Sequence, residues 1–228
     1  MNVVGLDTAT PATVAAVLRA DGEGFERRED PGPDERPAHG TSLLALAEEA
    51  LAGSGLEWAE VDRIAVGIGP GGFTGLRIGL ATARALAQST GIQLVGVGSL
   101  EALALGAAGE ASVLAALDAR RGEAFAAAWR STGPGALGDR LLDPVALTPE
   151  ALADRVGKLA PAPLAVGDGA VRFREQLEAA GAAVAPDGAE AHLLRALNVC
   201  RLGAAAMPTD RDGLLPHYAR EPDAVPRR

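Results

Sequence analysis

The sequence predicts an α/β protein built as two related lobes, and three observations carry that prediction. The strand-like run Val3–Asp7 ends in aspartate and leads into two further short strands, Thr13–Arg19 and Gly24–Arg28, joined at Asp21-Gly22, a turn signal. The same order returns past the middle of the chain: Val113–Leu117 ends at Asp118, and strands follow over Glu123–Trp129 and Arg140–Val145. Between the two repeats, the apolar run Ile64–Ile68 meets the glycine-rich stretch Gly69-Pro70-Gly71-Gly72-Phe73-Thr74-Gly75, which opens a proline-free segment to Gln88. That is strand, turn, helix.

The remaining elements follow in order. Pro31, Pro33 and Pro37 make a loop, after which a helix is expected from about Thr41 to Leu51. Asp62–Ile68 is a strand, Phe73–Gln88 a helix, Leu94–Val97 a strand and Leu100–Leu105 a short helix. In the second repeat Thr148-Pro149-Glu150 opens a helix, with Thr148 as N-cap and Pro149 at the first helical position. Leu164–Val166 is a strand, Arg172–Ala180 a helix, Ala183–Ala185 a weak strand and Ala191–Ala206 a helix. A strand ending in Asp before a hairpin, seen twice, is the plan of the two-lobed actin-like (sugar kinase/Hsp70-like) ATPase-type fold. Its phosphate loops are degenerate here. The expected division is an N-terminal lobe over 1–106, a smaller lobe over 107–190, a helix at about 191–206 packing back on the first lobe, and an extended tail over 208–228.

Composition narrows the function. The 228 residues carry a net charge of −9, and residues 1–106 hold 14 acids against 7 bases. Gripping a nucleic-acid backbone relies on Lys and Arg displacing counterions, so this chain is poorly suited to do it alone. No apolar run approaches the ~18 residues of a membrane span, and no basic leader with a cleavage site opens the chain. A cytoplasmic protein without a membrane partner is expected. Cys200 is the single cysteine and lies in the apolar stretch Leu193–Met207, where a buried inert thiol is expected.

The candidate sites are sparse in chemistry. Asp7, Thr8 and Thr10 end the first strand where such folds handle phosphate and a metal-bound water. Ala9 stands where close approach wants glycine, and an Asx-type turn explains the same residues. Gly69, Gly71 and Gly72 suit backbone approach to an anion, yet the lysine of a phosphate loop is missing, and glycines also permit close helix–strand packing. Asp118 repeats Asp7 without a glycine-rich turn after it. His39, His192 and His217 are scattered, with no metal-binding spacing, and no Gly-x-Ser-x-Gly elbow is present. No catalytic residue and no metal site is assigned.

Two helices carry unusual apolar or small-residue surface. Leu43, Leu44, Leu46, Ala47, Ala50 and Leu51 cover a wide arc of the first. Gly75, Gly79 and Ala83 form a small-residue stripe on the second, flanked by Leu76, Leu80 and Leu86, with Arg77 and Arg84 projecting. Burial in the core and a helix–helix seam to a partner both account for this.

The segments MNVVGLDTATPATVAAVL, GIGPGGFTGLRIGLATARALA, LAALDARRGEAFAA and LLPHYARE, in that order, resemble the TsaB (YeaZ) family over nearly the whole chain. The resemblance implies a non-catalytic dimerisation and activating subunit of the machinery that makes threonylcarbamoyladenosine in tRNA. Its partners would be a TsaD-like catalytic subunit, which carries the His-x-x-x-His metal motif absent here, and a TsaE-like ATPase. A homodimer would form when the chain is alone, and tRNA would be contacted only indirectly. The family pairs its first two helices with those of TsaD. Here they would be about Pro37–Ala52 and Phe73–Gln88, with His39, Leu43, Leu46, Ala47, Ala50, Leu76, Arg77, Gly79, Leu80, Ala83 and Arg84 at the interface. ATP or ADP would bind only at a composite interface with partners. The rival readings are a phosphotransferase or ATPase of the same fold and a glycoprotease-like metalloenzyme.

Overall fold

A computed structural model describes residues 1–32, 34–109, 112–211 and 213–220. Its frame is two five-stranded sheets of the same design. In the first, β1 (Val3–Asp7), β2 (Thr13–Leu18) and β3 (Gly24–Glu29) form an antiparallel meander, and β4 (Arg63–Gly69) and β5 (Gln93–Gly98) extend it in parallel beyond β1, in the order β3-β2-β1-β4-β5. In the second, β6 (Ser112–Arg120), β7 (Glu123–Gly133) and β8 (Ala136–Leu147) form the meander, and β9 (Leu164–Val166) and β10 (Ala183–Val184) extend it in parallel, in the order β10-β9-β6-β7-β8. The fold is the two-lobed one the sequence predicts.

Strand periodicity explains how each sheet is covered on both faces. On β1, Val4 and Leu6 point to a face covered by α1 (His39–Ser54) and α2 (Phe73–Thr90), where Leu43, Leu46, Ala47, Leu80 and Ala83 pack on Ile64 and Val66. Val3 points to the opposite face, which α7 (Ala196–Ala205) closes with Ala196, Val199 and Cys200. In the second sheet, α4 (Pro149–Val156), α5 (Asp168–Arg172) and α6 (Arg174–Ala179) bring Leu152, Ala170 and Leu177 against Leu114 and Ala126. Its other face receives α3 (Ser99–Gly106) through Leu100, Leu103 and Ala104. The helix after β5 thus covers the second sheet, and the last helix returns to the first.

The helix ends have local causes. Gly55 and Gly91 close α1 and α2 in the left-handed region that a Cβ disfavours, at φ 72° and 76°. Thr148 caps α4 by accepting the Ala151 N–H, with Pro149 behind it, as its sequence predicts. Two expected helices change. The expected Arg172–Ala180 helix is two short helices, α5 and α6, because the chain breaks at Phe173 to bury its ring against Leu177 and Leu152. The expected Ala191–Ala206 helix contributes a single 3₁₀ turn at Glu190–His192, and α7 starts only at Ala196. There Glu26 from β3 accepts the Leu197 N–H at 3.1 Å and pairs with Arg195 at 2.5 Å, an end that no local sequence signal encodes. Cys200 is fully buried, and burial pushes its thiol pKa far up.

After α7 the chain runs without regular structure across both lobes. Thr209 donates its N–H to the Leu94 carbonyl at 2.9 Å, and His217 donates to that of Ile68 at 2.7 Å. Arg84 donates to the Leu214 carbonyl. Arg220 then reaches the second lobe, pairing with Glu123 at 2.5 Å and donating to the Ala119 carbonyl at 3.0 Å. The rest of the expected tail, 221–228, lies outside the described residues. Among the described residues, no helix is long and apolar enough to cross a membrane.

Candidate functional site

Between the lobes lies a cavity of about 820 Å³. Its walls are the loop after β1 (Thr8–Pro11), the first turn of α2, Arg36 and Pro37 before α1, the turn of the β6–β7 hairpin, and the strap at His217–Arg220.

Asp7, which ends β1, and Asp118, near the end of β6, behave differently. Asp7 is fully buried and does not line the cavity. One of its oxygens accepts the Ala9 N–H at 2.6 Å, an Asx turn, and the other accepts the Ser99 hydroxyl at 2.7 Å. The Ser99 oxygen in turn accepts the Gly69 N–H at 3.2 Å. Burial raises the Asp7 pKa to about 6, against the opposing pull of those two donors. Gly67 leaves room for the carboxylate; a Cβ there would overlap it. The Asx-turn account of Asp7 is the one this geometry matches. Asp118 instead stands at the cavity wall, its side chain 13% exposed, held by Arg172 at 2.8 and 2.7 Å and accepting the Arg120 N–H at 2.8 Å.

The glycine turn is occupied by the protein itself. Gly72 donates its N–H to the Ala9 carbonyl at 2.7 Å, and a Cβ on Gly71 would collide with that same carbonyl. Thr8 donates its hydroxyl to the Gly75 carbonyl at 2.8 Å. The loop after β1 and the turn before α2 therefore bond to each other. Of the residues expected in phosphate loops, Thr8, Thr10, Gly71, Gly72 and Asp118 reach the cavity, while Asp7 and Gly69 serve the packing behind it. Among the described residues, no three His, Cys, Asp or Glu side chains converge as a metal would need.

Most of the expected interface set lies within this chain's own packing. Leu43, Leu46, Ala47, Ala50, Leu76, Gly79, Leu80 and Ala83 are buried in the chain's own core. The small-residue stripe lies against Thr8: a Cβ on Gly75 would overlap its carbonyl and one on Gly79 its hydroxyl. His39 is buried as well, its Nδ1 2.8 Å from the Thr13 hydroxyl, and burial lowers its pKa. The wide apolar arc serves the sheet on one side and the α1–α2 contact on the other. Arg84 is tied to the strap, and Arg77 is exposed, stacked 3.7 Å over the Phe73 ring and donating to the Tyr218 hydroxyl at 3.1 Å. What the two helices leave outside is Leu44, 47% exposed, with Ala45 and Ala81 also exposed, whereas Phe73 lines the cavity with its ring against Tyr218.

Sequence reading missed the cavity's cations: Arg36, Arg120, Arg121 and Arg220. Arg120-Arg121-Gly122, two adjacent cations before a glycine between two strand-like runs, was a usable signal, and in the structure Arg120 and Arg121 adopt φ of 61° and 56°. Arg36 and Arg220 come from loops far apart in the chain and leave no such signal.

Two sheets of one topology on either side of a cleft define an actin-like fold of the sugar-kinase and ATPase type. A ROK hexokinase from Thermus thermophilus shares that fold at a TM-score of 0.50 and 18% identity, over 90% of this chain and 99% of that one. The chain belongs to the TsaB (YeaZ) family. It is 33% identical over 172 residues to the tRNA threonylcarbamoyladenosine biosynthesis protein TsaB of Escherichia coli, covering 74% of this chain and 72% of that protein. The YeaZ structure from Pseudomonas aeruginosa superposes with a TM-score of 0.77 at 27% identity, over 95% of this chain and 99% of that one. The family model described as "TsaD: tRNA N6-adenosine threonylcarbamoyltransferase" matches residues 35–185. An uncharacterized protein of Mycobacterium leprae is 38% identical over 128 residues; the match takes in 56% of this chain and 35% of that longer protein.

Proposed function

We propose that this chain is a non-catalytic, activating subunit of the machinery that places threonylcarbamoyl on tRNA adenosine. It would dock on a TsaD-like catalytic subunit through the outer face of α1 and α2. The observation that carries the reading is that outer face: Leu44 stays half-exposed, and Ala45 and Ala81 exposed, on two helices whose inner faces are used by the core. The self-bonded loop after β1 and the inward-turned Asp7 support a role without phosphoryl chemistry of its own. Activation is then differential binding, in which the partner's competent conformation gains more from the seam than its idle one. A TsaE-like ATPase joins the same assembly in this reading, a homodimer uses the same face when the chain is alone, and tRNA is gripped by other subunits in the cytoplasm. The lobes of this subunit are residues 1–106 with α7, and 107–190.

The test is threonylcarbamoyl transfer to tRNA by the purified partners with this chain added or omitted. Activity is expected only with the chain present, and equal activity without it overturns the reading. Leu44→Glu is expected to lose that activation while leaving the circular dichroism and melting of the isolated chain unchanged; full activation by Leu44→Glu would move the seam elsewhere.

A further inference from the structure

Behind the cavity the two lobes are joined by buried packing. Asp7 of the first lobe accepts the hydroxyl of Ser99, the first residue of α3, and α3 then covers the second sheet with Leu100 and Leu103. Asn198 of α7, which lies on the first sheet, donates to the Ala102 carbonyl of α3 at 3.0 Å. The strap from Leu214 to Arg220 joins the lobes a second time, along the cavity wall, and its two ends are held differently. Its start is anchored in the first lobe. Leu214 is 5% exposed in the core beneath α1 and α2, in a slot that Gly96 leaves open, since a Cβ there would overlap it. Arg84 donates to the Leu214 carbonyl, His217 donates its N–H to Ile68, and the Tyr218 ring rests 5.3 Å from that of Phe73. At the other end, a guanidinium fastens the strap to the second lobe. Arg220 pairs with Glu123 at 2.5 Å, donates to the Ala119 carbonyl at 3.0 Å and lies 5.7 Å from the centre of the Phe125 ring. The two paired side chains are 24% and 33% exposed, so water and salt compete for them, whereas a buried leucine stays where it is. The Arg220 Nε is buried without a hydrogen-bond partner among the described residues, a cost of the fastened state that release removes.

We propose that the strap is a reversible latch that sets the opening between the lobes. Leu214 keeps it on the first lobe, and Arg220 engages or releases the β6–β7 hairpin of the second. Engaged, it holds the cleft at the width seen here. Released, it leaves the lobes joined only through the packing of α3 and α7, about which they can turn. The chain thereby bridges its own cleft, and the latch does not depend on the docking proposed above.

Single-molecule fluorescence transfer tests this in the full-length chain, with dyes on Thr41→Cys in α1 and Glu150→Cys in α4. Both positions are exposed, and Cys200 is fully buried and stays unlabelled. One narrow, closed population is expected in the parent. Arg220→Ala should raise the open population about fivefold, the ratio that a partly exposed ion pair supports. Glu123→Ala should act in the same direction, and the double variant should go no further than Arg220→Ala alone, as for groups that act as a pair. Raised salt should move the parent the same way. Arg220→Gln keeps the length of the side chain without its charge and should match Arg220→Ala, which separates the lost fastening from a packing defect. Arg140→Ala removes an exposed arginine on β8 that pairs with Asp143 instead, and should change nothing. A distribution untouched by both Arg220 variants overturns the proposal. An equal shift in Arg140→Ala overturns it too, by reducing the effect to overall charge.

Discussion

The two lobes carry out one plan with opposite outcomes at the same position. Each has a three-strand meander, two parallel strands and an aspartate where the central strand ends. In the first lobe that end is packed solid. Asp7 is enclosed by Ser99, the Ala9 amide and the space left by Gly67, and the small residues of α2 lie directly on Thr8. In the second lobe the end is open, with Asp118 at the cavity wall beside two arginines in left-handed conformation. Equal topology has left one strand end as core and the other as surface. The chemistry available at each follows from what packs behind it rather than from the shared aspartate.

This contrast can be broken at several points. The largest effect is expected inside the first lobe. Leu80→Glu places an unpaired carboxylate in the core under α2 and should cost more than about 4 kcal/mol in urea denaturation. Leu44→Glu, on the outer face of the neighbouring helix, should change stability by less than about 0.5 kcal/mol. Comparable losses would mean that the two faces are not distinguished as described.

Next comes Asp7→Asn. The folded-state pKa of about 6 lies above the usual 3.8, so the folded protein binds this proton more tightly than the unfolded chain does. The contribution of Asp7 is most favourable below about pH 4 and is lost as pH rises through 6. Asp7→Asn should therefore stabilise the protein at pH 8 by up to about 3 kcal/mol, with the gain vanishing at pH 4. Denaturation curves at both pH values check the sign. Asp118→Asn should move the other way, losing about 1 kcal/mol or less at pH 8, because Arg172 forfeits a partly exposed partner that water can replace. A pH-dependent gain at Asp118 like that at Asp7 would erase the distinction between the lobes.

Smallest is the capping difference. The Thr148 side chain caps α4 in the second lobe, whereas no side chain caps α1 or α2. Thr148→Ala should cost about 0.5 kcal/mol by thermal melting, at the low end for a cap because the bond is long.

What was readable in the sequence was local. The apolar runs of β1 and β6, the Asp-then-hairpin order, the glycine turn and the Thr148-Pro149 helix start all lie within a few residues of what they encode. What was not readable depended on distance. The start of α7 is fixed by Glu26, about 170 residues earlier in the chain, and the break at Phe173 is fixed by the core it enters. The apolar arcs of α1 and α2 were visible, but their direction was not. Periodicity reports that a face is buried and says nothing of whether the same chain or another one covers it; Leu43 and Leu80, expected at a partner seam, are buried in this chain's own core. The cavity was the least legible part, because Arg36, Arg120 and Arg220 meet only after both lobes have formed.

The return of α7 to the first sheet also sets an order of events during synthesis. Val3, Val14, Ala16, Ala65 and Val95 form one face of that sheet, and its cover is Ala196, Val199 and Cys200. At a ribosomal rate of ~5–20 residues per second, that face is made roughly 5–20 s before the helix that shields it. Through that interval the nascent chain carries an uncovered sheet of valine and alanine. A trigger-type holdase acting on this chain would have its main work in those seconds and little once α7 has emerged.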